Sequence, residues 1–178
     1  MPSEDPAALK DSIALAFMTI SQGEKAMPTS ERTPAHGLTV LATIKPDKVA
    51  ETRVQAAKMA ALPLHELLKP LTLHYARWVL VNNDTQFLYI AIFDTSIEDY
   101  TEDAIKIFNS VGMGSLFLNL EGFPEDGMRN PEAFKKFVRE HHCKSFLEYS
   151  EYEGVTVKEI KRALKVEGAF STMLDAMQ

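Results

Sequence analysis

Two apolar runs with four polar residues between them constrain this chain more than any other feature. Residues 71–81 read LTLHYARWVLV, residues 86–93 read QFLYIAIF, and Asn82-Asn83-Asp84 lies between them. Runs rich in β-branched and aromatic residues, joined by Asn and Asp, predict an antiparallel hairpin. A strand is also expected over residues 38–44 (LTVLATI), ended by Lys45-Pro46-Asp47. Residues 47–62 then predict a helix whose small residues Ala50, Val54, Ala57 and Ala61 share one narrow face, suited to close approach to a sheet. After the hairpin, Thr95-Ser-Ile-Glu98 matches a capping box. The helix it opens is expected to run to about Val111, with Ile97, Ala104, Phe108 and Val111 inward, and to stop at Gly112-Met-Gly114. Residues 115–120 (SLFLNL) predict a fourth strand, closed by Glu121-Gly-Phe-Pro124.

The expected order over residues 38–121 is β-α-β-β-α-β. That is the ferredoxin-like, α+β arrangement of a four-stranded antiparallel sheet with two helices on one face. Three regions follow. Residues 1–37 are an N-terminal helix (6–21) and a polar arm (22–37). Residues 38–124 are the ferredoxin-like core. Residues 125–178 are a helical C-terminal extension packed on that core. In the extension, Asn130-Pro131 predicts a capped helix start, with Phe134, Phe137, Val138 and His141 on one face. Thr156-Val-Lys-Glu159 is a second capping box, and its helix carries Ile160, Leu164, Phe170 and Leu174.

Composition narrows the partners. Apolar residues are 46% of the 178 and the net charge is −6. An acidic chain of this kind argues against nucleic acid or an anionic membrane as its main partner. One cysteine, Cys143, excludes an internal disulfide framework and a cysteine-rich metal site. The acidic start lacks a secretory pattern and no window is apolar enough to span a bilayer, so a cytoplasmic location is expected.

Alternation along the strands assigns faces. His74, Ala76, Trp78 and Leu80 share one side, and Tyr75, Arg77, Val79 and Val81 the other. Leu88, Ile90 and Ile92 oppose Phe87, Tyr89, Ala91 and Phe93. A half-solvated sheet would show one polar face. Here both are apolar, so the second needs cover, from the C-terminal segment or from a second subunit.

The segment Leu73-His-Tyr-Ala-Arg-Trp-Val79, together with Glu121-Gly-Phe-Pro124, is similar to an uncharacterised branch of the dimeric α/β-barrel superfamily. There, two ferredoxin-like sheets pack face to face. The superfamily includes dye-decolorising haem peroxidases, chlorite-dismutase-like proteins and cofactor-free quinol monooxygenases. The resemblance implies a homodimer, a small apolar ligand in a cavity at the sheet face and oxidoreductase-like chemistry, and it admits haem as cofactor. Two departures count against haem. Gly122-Phe-Pro-Glu-Asp126-Gly127 has one residue too many for the Gly-x-x-Asp-Gly motif of the dye-decolorising enzymes, and the chain has room for one ferredoxin-like unit where those enzymes carry two.

Several residues are candidates for chemistry. His74, mid-strand among apolar neighbours, is either a general base or axial ligand, or a core histidine bonded to Glu121, Asn119 or the backbone. Arg77 is either paired with Glu121 or Asp94, or orients an anionic ligand. Tyr75 and Tyr89 are expected on Arg77's side and, with Trp78, could shape a pocket. Asn119 and Glu121 either mark a site at the end of the fourth strand or cap it. No metal set is expected: the adjacent His141 and His142 point to different helix faces. No phosphate loop, dinucleotide fingerprint or nucleophile elbow is present. The alternative to an enzyme is a non-catalytic ligand-binding or assembly protein whose His and Arg are structural.

Overall fold

The computed structural model describes residues 35–177; the helix expected over 6–21, and the arm up to residue 34, lie outside the described residues. Strand β1 (His36–Thr43) is followed by a tight turn at Pro46–Lys48 and helix α1 (Val49–Ala60). The short α2 (Leu64–Leu67) leads to β2 (Leu73–Val81) and β3 (Gln86–Phe93). Then come α3 (Ile97–Ser110), α4 (Gly114–Leu118), α5 (Pro131–His141) and α6 (Val157–Asp175). The described chain is therefore α+β, with six helices and a three-stranded antiparallel sheet in the order β1-β3-β2.

The hairpin forms as its sequence dictates. Asn82, Asn83 and Asp84 take φ of +52°, +54° and +63°, the left-handed region that Asn and Asp tolerate better than other side chains. The register then runs from Val81 opposite Gln86 to Tyr75 opposite Ile92, with a bulge between Leu73 and Tyr75. Strand β1 pairs with the other edge of β3, from Thr43 opposite Gln86 to His36 opposite Phe93.

The expected fourth strand does not form. Residues 114–118 are helical, and only Leu120 bridges to the sheet, opposite Ile44. The bridge is made by Lys45 N–H donating to Asn119 O at 2.9 Å and Glu121 N–H to Thr43 O at 2.8 Å. The reason lies in the residues. SLFLNL contains no β-branched side chain, and leucine favours helix. Leu116, Phe117 and Leu120 fall at helical spacing and are all buried, whereas Leu118 is exposed. The same edge of β1 is held further along by Cys143 N–H, which donates to Thr39 O at 2.8 Å.

One sheet face carries the core. Leu38, Val40, Ala42, Phe87, Tyr89, Ala91 and Phe93 are buried on it, under α3 and α5. Phe117, Phe123, Phe134 and Phe137 pack edge to face or tilted at centroid distances of 5.0–5.7 Å, joining α4 and α5 to this layer. Helix α3 opens one residue later than expected: Ser96 rather than Thr95 is its cap, accepting from Asp99 N–H at 3.1 Å. Gly112, at φ +74°, ends it. Asn130 caps α5, with Pro131 in its first turn. Thr156 and Glu159 close the expected capping box on α6.

Helix α1 turns a different side inward from the one its small residues suggest. Ala50, Val54, Ala57 and Ala61 are exposed, while Thr52 is fully buried. Asn119 Nδ2 donates to Thr52 Oγ1 at 3.1 Å and to Gln55 Oε1 at 3.0 Å, and this polar tie fixes the helix rotation. Among the described residues, no helix is long and apolar enough to cross a membrane.

Candidate functional site

His74 owes its position to the bulge at the start of β2, which leaves it beside the residue that follows β3. Its Nε2 lies 2.6 Å from Asp94 Oδ1. The second carboxylate oxygen, Asp94 Oδ2, accepts the Val157 N–H at 2.8 Å. One part-buried carboxylate thus ties the strand pair to the first residue of α6. The partner of His74 is Asp94, not Glu121, Asn119 or a backbone group. His74 also borders an open groove of about 350 Å³ at the β2 edge, with Leu64, Lys69, Tyr75, Trp78 and Lys161.

Arg77 is not the buried guanidinium the sequence suggests. It is exposed, stands opposite Ile90, and pairs with neither Glu121 nor Asp94. Tyr75 shares its face, opposite Ile92. Tyr89 does not: it pairs with Trp78 on the helix-covered side, their rings 5.1 Å apart. The Tyr89 and Tyr100 hydroxyls are hydrogen-bonded to each other in the core. Burial pushes the Tyr100 hydroxyl up to about 12, and burial beside Tyr100 holds that of Tyr89 well above the usual tyrosine range. The interior gap they border is about 20 Å³, room for no more than a water. Asn119 is buried as the tie to α1, and exposed Glu121 contributes its backbone N–H to the β1 edge.

The expected site residues therefore separate into three places. His74 lies at the sheet edge, where Tyr75 and the half-buried Trp78 share its groove, Tyr89 and Asn119 lie in the packed interior, and Arg77 stands on the open face that Tyr75 also borders. Two of these places offer room, the groove of about 350 Å³ beside His74 and the open face. Across the open face run Thr39 and Leu41 of β1, Leu88, Ile90 and Ile92 of β3, and Val79 and Val81 of β2. None of these side chains belongs to the core cluster. A groove of about 630 Å³ crosses one end of this face, walled by Thr39, Ile90 and Ile92 and by Glu148 and Tyr149 of the loop before α6.

The chemistry available follows from the side chains. The strand residues of the open face include no histidine, cysteine or carboxylate, so they supply one fixed cation, Arg77, in an apolar surround. His74 does not suit an axial haem ligand, because Nε2 is spent on Asp94. No group of three or more His, Cys, Asp or Glu among the described residues could hold a metal ion. His141 and His142 bond to the backbone at Phe137 O and Thr39 O, 2.9 and 3.0 Å away. The residue that sequence reasoning placed wrongly is Asp94. Counting back from the hairpin turn puts residue 74 within one position of Asp94, so the pairing was available as arithmetic.

Comparison of the chain with protein-family models and with curated proteins finds no match.

Proposed function

We propose that the chain is a non-catalytic binding subunit that pairs with a second copy through its open sheet face and encloses a small apolar anion there. The observation that carries this reading is the division of the sheet: one face packed under helices, the other apolar, outside the core, half-buried along most of its length and bordered at one end by the loop before α6. Contiguous apolar surface of this kind marks an interface or a ligand groove. A second copy offers the same surface, which a two-fold axis makes self-complementary. Closing two such faces would desolvate Arg77, and a buried guanidinium needs a counter-charge. The strands bring no carboxylate to it, and Glu148 and Glu153 belong to the loop at one end of the face, in a groove that Arg77 does not line, so the anionic end of a ligand would supply the charge. The rest of the lining selects an apolar body.

This reading keeps the ferredoxin-like, dimeric α/β-barrel resemblance. The order β1-β3-β2 is three-quarters of that sheet, and the bridge between Ile44 and Leu120 lies on the β1 edge where a fourth strand would pair. Binding is favoured over oxidoreductase chemistry because the strands bring no acid or base to the face, and His74 is held elsewhere. Isothermal titration with naphthalene-2-carboxylate tests the proposal. Saturable binding is expected, weakened about tenfold or more in Arg77→Ala, the equivalent of one good charge-assisted contact. Equal affinity of the two proteins, or no binding by either, would overturn it.

A further inference from the structure

Helix α6 stands outside the body of the protein. Val157 is its one buried residue, and every residue from Lys161 to Met177 is exposed. At 19 residues it is about 28 Å long. Most helical stability in proteins comes from packing of an apolar side, and the described body gives this one little to pack against. That side is well defined. Ile160, Ala163, Glu167, Phe170, Leu174 and Met177 follow one another at spacings of 3, 4, 3, 4 and 3, the seam of a two-helix coiled coil, apolar at five positions and polar at Glu167 near its middle. Leu164, Val166 and Met173 flank the seam.

We infer that α6 pairs antiparallel with α6 of a second copy of this chain. Three observations select this occupant. The first is area. Leu164, Val166, Phe170, Met173, Leu174 and Met177 are 44–76% exposed. At roughly 200 Å² per large side chain, they offer about 700 Å², close to the roughly 800 Å² each partner gives a standard interface. The second is charge. Lys158, Lys161, Arg162 and Lys165 crowd the first half against one acid, Glu159 of the capping box, and Glu167 and Asp175 lie in the second. A parallel pair would set the basic halves side by side and Glu167 against Glu167. The third is register. With the two helices crossing between Gly168 and Ala169, Ile160 meets Met177, Ala163 meets Leu174, and Glu167 meets Phe170. Lys161 then lies level with Ala176 of the other copy, one residue from Asp175 on the same flank. Opposed macrodipoles add to the preference. The pairing uses no residue of the sheet face, so it goes beyond the binding reading and stands apart from it.

Cysteine cross-linking tests the orientation. Cys143 is exposed and is replaced first, as Cys143→Ser. In that background, chains carrying Ala163→Cys are mixed with chains carrying Leu174→Cys under mild oxidation. Disulfides need Cα atoms within about 7 Å, so the mixture is expected to cross-link at least about tenfold faster than either chain alone. Adding Ile90→Lys, on the sheet face, is expected to leave that rate unchanged. Cross-linking of either single-cysteine chain as fast as the mixture would mean parallel helices. Absence of cross-links throughout would mean another occupant, the chain's own residues 1–34 included. Loss of the cross-link in Ile90→Lys would mean that the sheet face holds the helices together. Each of these three results overturns the inference.

Discussion

At the scale of single residues, the buried hydroxyl pair gives the sharpest energetic statement. Tyr89 and Tyr100 satisfy each other in the core beneath α3. Tyr100→Phe strands the Tyr89 hydroxyl, at a cost of about 1–3 kcal/mol in urea unfolding, whereas Tyr89→Phe/Tyr100→Phe together should be closer to neutral. The same burial sets a pH window. The Tyr100 hydroxyl is pushed up to about 12 in the fold, from an ordinary value near 10. An acid whose folded pKa is raised is held neutral by the fold. Its contribution is whole below about pH 10 and is lost as the unfolded chain ionises between about pH 10 and 12. Unfolding free energy should therefore fall across that window by about 2–3 kcal/mol from this residue, and Tyr100→Phe should flatten the fall. Neither residue's partner was legible beforehand, because alternation places Tyr89 on a face but does not say which α3 side chain lies above it. His74 was more legible: the hairpin turn fixes the register, and the register brings position 74 to Asp94.

Among the elements, those with strong local chemistry formed where their residues placed them. Strand β3 spans Gln86–Phe93 as expected, α5 begins at the Asn130 cap, and α6 begins at its capping box. Elements whose outcome depends on packing differed. SLFLNL alternates as a strand would, yet its leucines favour helix and the phenylalanine cluster gives Phe117 a place on a helical side. Helix α1 shows small residues on one face, but Thr52 is turned inward by Asn119, a contact 67 residues distant in sequence. The joint between α6 and the body is a further case. Asp94 holds both His74 and the Val157 N–H, and little else in α6 is buried. Asp94→Ala is expected to cost about 2 kcal/mol, since a charged acceptor serves two donors. Amide exchange over the first turn of α6 should quicken with it. A cost below about 0.5 kcal/mol, the range of ordinary surface substitutions, would show that the joint is held some other way.

At the scale of the whole molecule, the apolar residues among those described outnumber the places that their own packing provides to bury them. One sheet face, α3, α4 and α5 share a continuous core, while the second sheet face and the length of α6 stay outside it. That imbalance was visible in the sequence as a sheet apolar on both sides. What covers the second face was not, because strand alternation reports which residues share a side and says nothing of what lies opposite. The central claim is that a second copy lies there. Light-scattering mass at micromolar concentration tests it most directly, in chains carrying Phe170→Glu so that α6 cannot pair. That chain is expected at twice 19.9 kDa. Addition of Ile90→Lys, at the middle of the open face, should bring it to the single-chain mass with an unchanged far-ultraviolet circular dichroism spectrum. A Phe170→Glu chain that is already monomeric, or a doubly substituted chain that keeps twice the mass, would contradict it.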